Sequence, residues 1–308
     1  MNLLVVLAAV IVGTWNGNWF PSGRAEHRAH PDVERATIDA AAKMIAAGLE
    51  RLDPEGTNDV ILCLGEMRGP KVVSNLVERI GRPGLKTAIV SAYRRRDRFD
   101  MQQNAIATTL PVAEAHWSKW KARKGVLPPR GYAFAAIVID PATTANVYSV
   151  HLKSNYGQGR DPKRIQDNRD KRTESIRQII EGERPRKNRS AKRPVILAGD
   201  FNADRWRGEF KEEKMFTALD EAGFTDLTLP MPPERRYTHP NRRHGNSLLD
   251  YIFCRGFQST ATPATVDSDG LSDHLALFAV VKPKISASDN ISPSAASTFS
   301  PPRMFVSQ

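Results

Sequence analysis

The sequence predicts a mixed α/β protein in which helices cover packed β-sheets. Short apolar runs of strand length alternate with amphipathic helical segments, but without the strict rhythm of a purely parallel, doubly wound sheet. The composition of the 308-residue chain is that of a globular protein, with 40% hydrophobic and 26% charged residues. Its two cysteines exclude a scaffold held by disulfides and a zinc site built from cysteines.

The first apolar run, residues 3–12, allows two interpretations. It resembles the core of a signal peptide, although no Lys or Arg precedes it, and its Val and Ile content suits a buried first strand. A signal remnant that runs into the strand predicts a secreted or periplasmic protein, and a strand alone predicts a cytoplasmic one. No apolar run reaches the roughly 18 residues that a membrane-spanning helix needs, so no stable membrane span is expected.

Three helices and eight further strands are predicted from apolar spacing and flanking residues. The first helix begins at Pro31, and its apolar face is expected to carry Val33, Ala36, Ala40, Met44 and Ala47. The second helix spans residues 71–80 and ends at Gly81, and a long polar helix covers about residues 164–180. Strands are predicted over residues 59–64, 87–92, 104–108, 132–139, 146–152, 195–198, 249–254 and 276–281.

The C-terminal segment differs in composition from the rest of the chain. After Pro283 it is dominated by Ser, Ala and Pro, which cannot bury enough apolar surface to offset the chain entropy lost on folding. The sequence therefore predicts one domain over residues 1–283 and a disordered tail over residues 284–308.

Polar side chains collect at the ends of five of the predicted strands, where a rigid backbone aims them. The candidate site residues are Asn16, Glu66, His151, Lys153, Asn155, Asp200, Asn202, Asp250, Asp273 and His274. Taken singly, each has an ordinary structural role, such as a helix cap, an Asx turn or a satisfied core histidine. Taken together, they form an oxygen-rich set with imidazoles and no thiolate, which suits Mg²⁺ or Mn²⁺. A hard ion beside His–Asp partners is typical of a site that hydrolyses a phosphate ester.

The order of these motifs resembles the endonuclease/exonuclease/phosphatase superfamily, which has the DNase I-like fold. The motifs are TWN at 14–16, GE at 65–66, SVHLKSN at 149–155, ILAGDFNA at 196–203, LDYIF at 249–253 and LSDHLAL at 271–277. The resemblance runs from about Val10 to Val281 and implies a four-layer α/β/β/α sandwich of two packed mixed β-sheets flanked by helices. It also implies metal-dependent hydrolysis of phosphodiesters or phosphomonoesters.

The resemblance implies roles for the residues that match the motifs. Glu66 matches the principal metal-binding glutamate, with Asn16 beside it and Asp273 near the metal. Asp200 matches the aspartate that orients or deprotonates the attacking water, and Asn202 matches the residue that holds a phosphate oxygen.

Two histidines also match. His274 matches the late histidine of the superfamily, and Asp250 matches the aspartate that pairs with it. His151 matches the histidine found in the DNase-like, sphingomyelinase-like and inositol-phosphatase-like branches, and the sequence leaves open which histidine is acid and which is base. Lys153 and Asn155 are expected to assist in binding the phosphate. Family members commonly carry Gln before the metal glutamate, and Gly65 stands there in this chain.

Charge favours a polyanionic partner, because Lys and Arg exceed Asp and Glu by 45 − 34 = 11. Residues 160–193 hold thirteen Lys/Arg and six Asp/Glu, which describes either a solvated helix face with a basic loop or a track for a phosphate backbone. The basic loop at residues 235–244 precedes Asp250 and is expected near the site.

The first hypothesis is therefore a Mg²⁺- or Mn²⁺-dependent nuclease that acts on DNA or RNA as a monomer. The alternative is a phosphatase or sphingomyelinase-like phosphodiesterase acting on inositol phosphates or phospholipid, although no apolar hairpin suited to a lipid is evident. A third hypothesis is a nucleic-acid-binding protein on a decayed enzyme fold, and the intact candidate residues argue against it.

Overall fold

The computed structural model of the protein describes residues 9–23, 30–95, 98–155, 159, 161–184 and 193–284. The helices are α1 (Pro31–Leu52), α2 (Pro70–Ile80), α3 (Pro162–Gly182) and α4 (Lys214–Glu221). The strands are β1 (Val10–Phe20), β2 (Asp59–Met67), β3 (Lys86–Val90), β4 (Arg94–Arg95), β5 (Arg98–Phe99), β6 (Gln103–Thr108), β7 (Val112–Lys119), β8 (Gly131–Asp140), β9 (Thr143–His151), β10 (Val195–Asp200), β11 (Thr225–Asp226), β12 (Asp250–Arg255), β13 (Phe257–Ser259), β14 (Ala264–Val266) and β15 (Ala276–Pro283).

These strands form two mixed sheets and a small hairpin. The first sheet has the order β13-β15-β1-β2-β6-β3, with β14 paired to β15, and the second has the order β11-β12-β10-β9-β8-β7. Strands β1 and β2 run parallel, as do β9 and β10, and the other pairs are antiparallel. The hairpin of β4 and β5 stands apart from both sheets.

The two sheets pack face to face because side chains alternate along each strand. In β1, Val10 and Val12 enter the apolar core between the sheets, whereas Ile11 and Trp15 face the helices on the outer side. Strand β10 alternates in the same way in the second sheet, with Ile196 and Ala198 in the inner core.

Helices cover the outer face of each sheet. Residues of α1 and α2 share one apolar cluster with β1, β2 and β15, and residues of α3 and α4 share another with β9, β10 and β12. The four-layer sandwich expected from the resemblance is therefore confirmed. Among the described residues, no helix combines the length and apolarity needed to cross a membrane.

The predicted apolar face of α1 is wrong in most of its members. Val33 is 55% exposed, and of the five predicted residues only Met44 is buried. The buried face instead carries Ile38, Ile45 and Gly48. At Gly48 a Cβ atom would lie 2.6 Å from the ring of Phe278 in β15, so the helix sits on the sheet at that point. Ala residues occur on both sides of the helix, and their spacing therefore did not identify its buried face.

Other predicted elements match to within a few residues, and Gly81 ends α2 with a left-handed φ of 71°. The edge strand β7, the short helix α4 and the short strands β4, β5, β11, β13 and β14 are not predicted from the sequence. Residues 3–8, the basic loop at 185–192 and the tail at 285–308 lie outside the described residues.

Candidate active site

The candidate residues meet where several strands of both sheets end. His151 closes β9 and Asp200 closes β10, and the two are register partners in this parallel pair. Asp250 opens the antiparallel β12 opposite Asp200. Three side chains therefore stand in one row at the same edge of the second sheet. Asn16 of β1 is buried at the matching edge of the first sheet.

Glu66 reaches this edge because the backbone of β2 is irregular there. Strict alternation would send its side chain to the helix side of the sheet, with Leu64. Glu66 instead has a left-handed φ of 56°, and the β2–β6 register shifts between Leu64 and Met67. Met67 consequently joins Leu64 in the outer core, and Glu66 turns towards Asn16.

Asn16 links two carboxylates. Its Nδ2 donates to Glu66 Oε1 at 3.2 Å and to Asp200 Oδ2 at 2.9 Å, while its Oδ1 accepts from the Asn18 backbone N–H at 3.0 Å. The backbone donor fixes the orientation of the amide, because only the oxygen can accept. The nitrogen of Asn16 therefore faces the carboxylates in this arrangement, and its role as a metal ligand stays a prediction.

Asp200 is held by its neighbours. Its Oδ1 accepts from the Asn202 backbone N–H at 2.7 Å, and its Oδ2 accepts from Asn202 Nδ2 at 2.8 Å. Burial raises the pKa of the Asp200 carboxyl, against the opposing charge of His274 and the hydrogen bonds from Asn202 and Asn16. A cation bound nearby would favour the charged carboxylate.

His274 and Asp250 form a buried pair, with 2.6 Å between Nδ1 and Oδ2. Burial lowers the pKa of His274, but the charge and hydrogen bond of Asp250 and the charges of Asp200 and Asp273 outweigh it and raise the pKa to about 10. The carboxylate also fixes the ring, since it accepts the hydrogen of Nδ1 and leaves Nε2 for other partners.

His151 lies on the other side of the carboxylates. Its Nε2 is 3.5 Å from Glu66 Oε1 and 3.7 Å from Asp200 Oδ2. Its Nδ1 is buried without a hydrogen-bond partner among the described residues. Burial lowers the pKa of His151 well below its ordinary value, and the charges of Arg130, His274 and Lys153 add to this effect. The surroundings of the two histidines therefore differ, favouring the neutral form of His151 and the protonated form of His274.

Lys153 and Asn155 follow β9 and are positioned by a buried arginine of α3. Arg172 Nη1 donates to the Lys153 carbonyl and to Asn155 Oδ1, both at 2.8 Å. Arg172 is in turn paired with Glu213 through two hydrogen bonds. The segment that carries Lys153 is thus tied to the helical layer.

An open cleft of about 1070 Å³ passes over these groups. Its walls include Glu66, His151, Lys153, Asn155, Asp200, Asn202, Asp273 and His274. Asn16 and Asp250 lie beneath the cleft and contact it through Glu66, Asp200 and His274. The fold therefore brings all ten predicted residues together.

The cleft also contains residues that the sequence analysis did not assign to the site. His239 places Nε2 3.6 Å from Asp273 Oδ2, with its ring 5.1 Å from that of His274. Trp19, Gln102 and Arg130 line the wall beside Glu66. His239 lies in the basic loop at residues 235–244, which is expected near the site. This position in the loop is the one feature of the sequence that could have assigned His239 to the site. Nothing in the pattern around Gln102 indicated the site.

Backbone strain is concentrated around the cleft. Seven non-glycine residues in the described part of the chain have a positive φ, and five of them are Asn18, Trp19, Glu66, Arg130 and Asn202. Such conformations cost on the order of 1 kcal/mol or more each, and they persist where surrounding contacts enforce them. Their clustering supports the assignment of this edge as the functional site.

The donor set fits a hard divalent cation. Glu66, Asp200 and Asp273 supply carboxylate oxygens, and both cysteines are buried in the core away from the cleft. Mg²⁺ and Mn²⁺ prefer oxygen ligands of this kind. The His239, Asp273 and His274 ligand atoms also lie within 4.8 Å of one another.

Comparisons with known proteins agree with this architecture. The family model for the Endonuclease/Exonuclease/phosphatase family matches residues 13–274. No curated protein matches the sequence.

Solved structures with a similar fold share little sequence with the chain. An endonuclease/exonuclease/phosphatase family protein from Leptotrichia buccalis C-1013-b is 15% identical, with a TM-score of 0.60 over 90% of this chain and 100% of that one. TDP2 of D. rerio, in complex with a single-stranded DNA product, is 15% identical, with a TM-score of 0.57 over 89% and 99%. A functionally unknown conserved protein from Enterococcus faecalis V583 is 17% identical, with a TM-score of 0.54 over 89% and 100%.

These identities show a shared fold, whereas the family model covers most of the chain, including the strand ends that carry the site. The chain therefore belongs to the endonuclease/exonuclease/phosphatase family and is a hydrolase of phosphate esters.

Proposed function

We propose that the protein is a divalent-metal-dependent nuclease that hydrolyses phosphodiester bonds of DNA or RNA. The observation that carries the proposal is the Glu66–Asn16–Asp200 bridge, which lies beside the His274–Asp250 pair under one open cleft. The net charge of +11 favours a polyanionic substrate. TDP2 of D. rerio, which has a similar fold, has been solved with a single-stranded DNA product.

Glu66 and Asp273 are the residues proposed to hold the cation. When bound, a divalent cation neutralises charge on the non-bridging phosphate oxygens as the transition state forms. Every other part of the proposed reaction is assigned to side chains of the chain itself.

Asp200 is proposed to orient the attacking water. Asn202 and Asn16 fix its carboxylate through three hydrogen bonds of 2.7–2.9 Å, so the group is held in one orientation before substrate arrives. Asn202 is proposed to bind a phosphate oxygen beside it, with Nδ2 donating to that oxygen in place of its longer hydrogen bond, at 3.3 Å, to the Leu152 carbonyl.

His274 is proposed to move the proton. Asp250 holds its Nδ1 hydrogen, so Nε2 is the atom that exchanges a proton with the reacting oxygen. His151, with Nε2 beside both carboxylates, is proposed to hydrogen-bond an oxygen of the bound phosphate, assisted by Lys153 and Asn155 at the cleft wall.

A substrate panel tests this proposal. Plasmid DNA, single-stranded DNA, RNA, an inositol phosphate and sphingomyelin would each be incubated with Mg²⁺, with Mn²⁺ and with EDTA. We expect cleavage of at least one nucleic acid with metal and none with EDTA or with Glu66→Gln. Hydrolysis of the inositol phosphate or sphingomyelin without cleavage of nucleic acid would overturn the proposal.

A further inference from the structure

Glu66 is held by a chain of two hydrogen bonds that ends at Arg130, a half-buried arginine in the wall of the cleft. Arg130 Nη1 donates to Gln102 Oε1 at 2.8 Å, and Gln102 Nε2 donates to Glu66 Oε2 at 2.8 Å. Arg130 is itself fixed, because Nη2 donates to the carbonyls of His151 and Leu152 at 3.2 and 3.0 Å.

The arginine decides which way the Gln102 amide points. A guanidinium has donors only, so the Gln102 atom that faces it must be the oxygen. The amide nitrogen must then face Glu66. The Gln102 backbone N–H donates to Asp100 Oδ1 at 3.0 Å, which also restrains the residue.

The consequence is an unequal carboxylate. Glu66 Oε2 accepts from Gln102 Nε2 and from the Trp19 backbone N–H at 3.2 Å, which uses both of its lone pairs. Oε1 accepts one hydrogen bond, from Asn16 Nδ2 at 3.2 Å. One lone pair, on Oε1, therefore remains for a cation, and His151 Nε2 lies next to it, 3.5 Å from Oε1.

We propose that Gln102 and Arg130 are positioning residues that restrict Glu66 to single-oxygen coordination and so set the preference of the site for Mg²⁺ or Mn²⁺ over Ca²⁺. This inference rests on the proposed metal site at Glu66. Ca²⁺ takes six to eight oxygen ligands and often binds both oxygens of one carboxylate. Mg²⁺ is smaller, prefers octahedral coordination and usually binds a single oxygen of each carboxylate. When Oε2 is already hydrogen-bonded, only Oε1 can coordinate the ion. This restriction weakens the binding of Mg²⁺ little and the binding of Ca²⁺ more.

The test measures binding of Mg²⁺ and of Ca²⁺ to the full chain by titration calorimetry, without substrate. Gln102→Met keeps the length of the side chain but removes the donor to Oε2. We expect the ratio of the Ca²⁺ and Mg²⁺ dissociation constants to shift at least about tenfold towards Ca²⁺, a size typical of outer-shell changes at metal sites. Arg130→Met should shift the ratio in the same direction. Arg130→Lys keeps a donor at this position and should leave the ratio near that of the wild type.

The ratio is the readout because removal of the Arg130 charge strengthens the binding of both cations. A role of Gln102 in folding alone would lower the melting temperature without changing the ratio. Should Gln102→Met fail to fold, the comparison of Arg130→Met with Arg130→Lys decides.

Two results would overturn the inference in distinguishable ways. An unchanged ratio in Gln102→Met and Arg130→Met, with Glu66→Gln abolishing binding, would reject the positioning role and keep the metal site. Binding that survives Glu66→Gln, or a wild-type chain that binds neither ion, would reject the proposed metal site together with this inference.

Discussion

At the residue scale, Glu66 combines a strained backbone with a carboxylate held by three donors. Glu66→Gln keeps the shape of the side chain and removes its charge. We expect turnover at saturating Mg²⁺ to fall by about 100-fold or more, because electrostatic stabilisation of the transition state is lost. The melting temperature should change little. Steady-state kinetics and thermal melts would measure both quantities. Glu50→Gln, on the exposed side of α1, is the matched control. Near-normal turnover of Glu66→Gln would show that Glu66 is not a metal ligand.

The His274–Asp250 pair is predicted to act as one unit. His274→Ala should lower turnover by about 10²–10⁴, the usual range for general acid–base catalysis. Asp250→Asn should cost nearly as much, because an amide does not hold the imidazolium or its tautomer in the same way. The double variant should be little worse than the worse single variant, since residues of one catalytic unit are not additive.

Single-turnover kinetics on the three variants, with melting curves alongside, measures this coupling. Asp250 is fully buried and its backbone N–H donates to Thr238 Oγ1, so a purely structural role predicts activity losses that follow lost stability. Losses that multiply in the double variant would show that the two residues act separately.

The site could be predicted at the positions where strand geometry dictates it. His151, Asp200 and Asp250 end or begin neighbouring strands, and their apolar runs are visible in the sequence. Gln102 and Arg130 could not be found in this way, because each directly precedes a strand whose pairing places it beside Glu66. The hydrophobic pattern carries no information about that pairing.

At the scale of the element, the fold follows from alternation more than from helical periodicity. The central strands carry nearly continuous apolar runs because both of their faces are covered, one by the opposite sheet and one by helices. The register shift that turns Glu66 inward and the face of α1 that meets Phe278 depend on contacts between distant segments. Neither could be read from local spacing.

Helix α3 contributes to the site through the pair of Arg172 and Glu213, whose side chains are 1% and 0% exposed. Arg172→Met would leave the Glu213 carboxylate buried without its partner. We expect a loss of about 3–5 kcal/mol in the free energy of unfolding, the usual effect of breaking a buried ion pair. The double variant Arg172→Met/Glu213→Leu should recover much of this stability but not the position of Lys153 and Asn155.

Denaturant unfolding and kinetics on both variants would separate the two effects. Full recovery of activity in the stable double variant would show that Arg172 does not position the Lys153 segment.

The C-terminal end of α1 predicts a pH dependence of stability. Burial raises the pKa of Asp53, but hydrogen bonds from Arg82, Asn58 and Thr57 and the charge of Arg82 outweigh it and hold the pKa below its ordinary value. A lowered pKa in the folded state means that the stabilisation is complete above the unfolded value and is lost as pH falls through the folded one. Asp53→Asn should therefore cost about 2 kcal/mol at pH 7, since it weakens hydrogen bonds to a charged group.

The difference between wild type and Asp53→Asn should close as pH falls below 4. Urea unfolding from pH 7 to pH 3 measures it, with Asp39→Asn, a half-exposed partner of Arg79, as the control. A difference that stays constant over this range would show that the Asp53 charge does not contribute.

At the scale of the whole molecule, positive charge and the open cleft favour a long anionic substrate over a small neutral one. The cleft combines the proposed metal-binding carboxylates with cationic walls that include Arg130, Lys153 and Arg207. A polyanion is held by such walls mainly through release of its counterions, and this contribution depends on salt in a way that binding of a small ester does not.

Binding of duplex or single-stranded nucleic acid to the inactive Glu66→Gln variant should therefore weaken steeply with salt. If about three or four phosphates are neutralised, the logarithm of affinity should fall with the logarithm of NaCl concentration with a slope of about −3.

Lys153→Met in the same background should weaken binding of all sequences alike and reduce the steepness of the slope by about one. Lys43→Met, on the exposed face of α1 away from the cleft, should leave the slope unchanged. Fluorescence anisotropy from 50 to about 300 mM NaCl measures these slopes. If the affinity of the Glu66→Gln variant for nucleic acid does not change with NaCl concentration, the basic residues do not bind a phosphate backbone. That result would favour a small phosphate ester as the substrate of the same cleft.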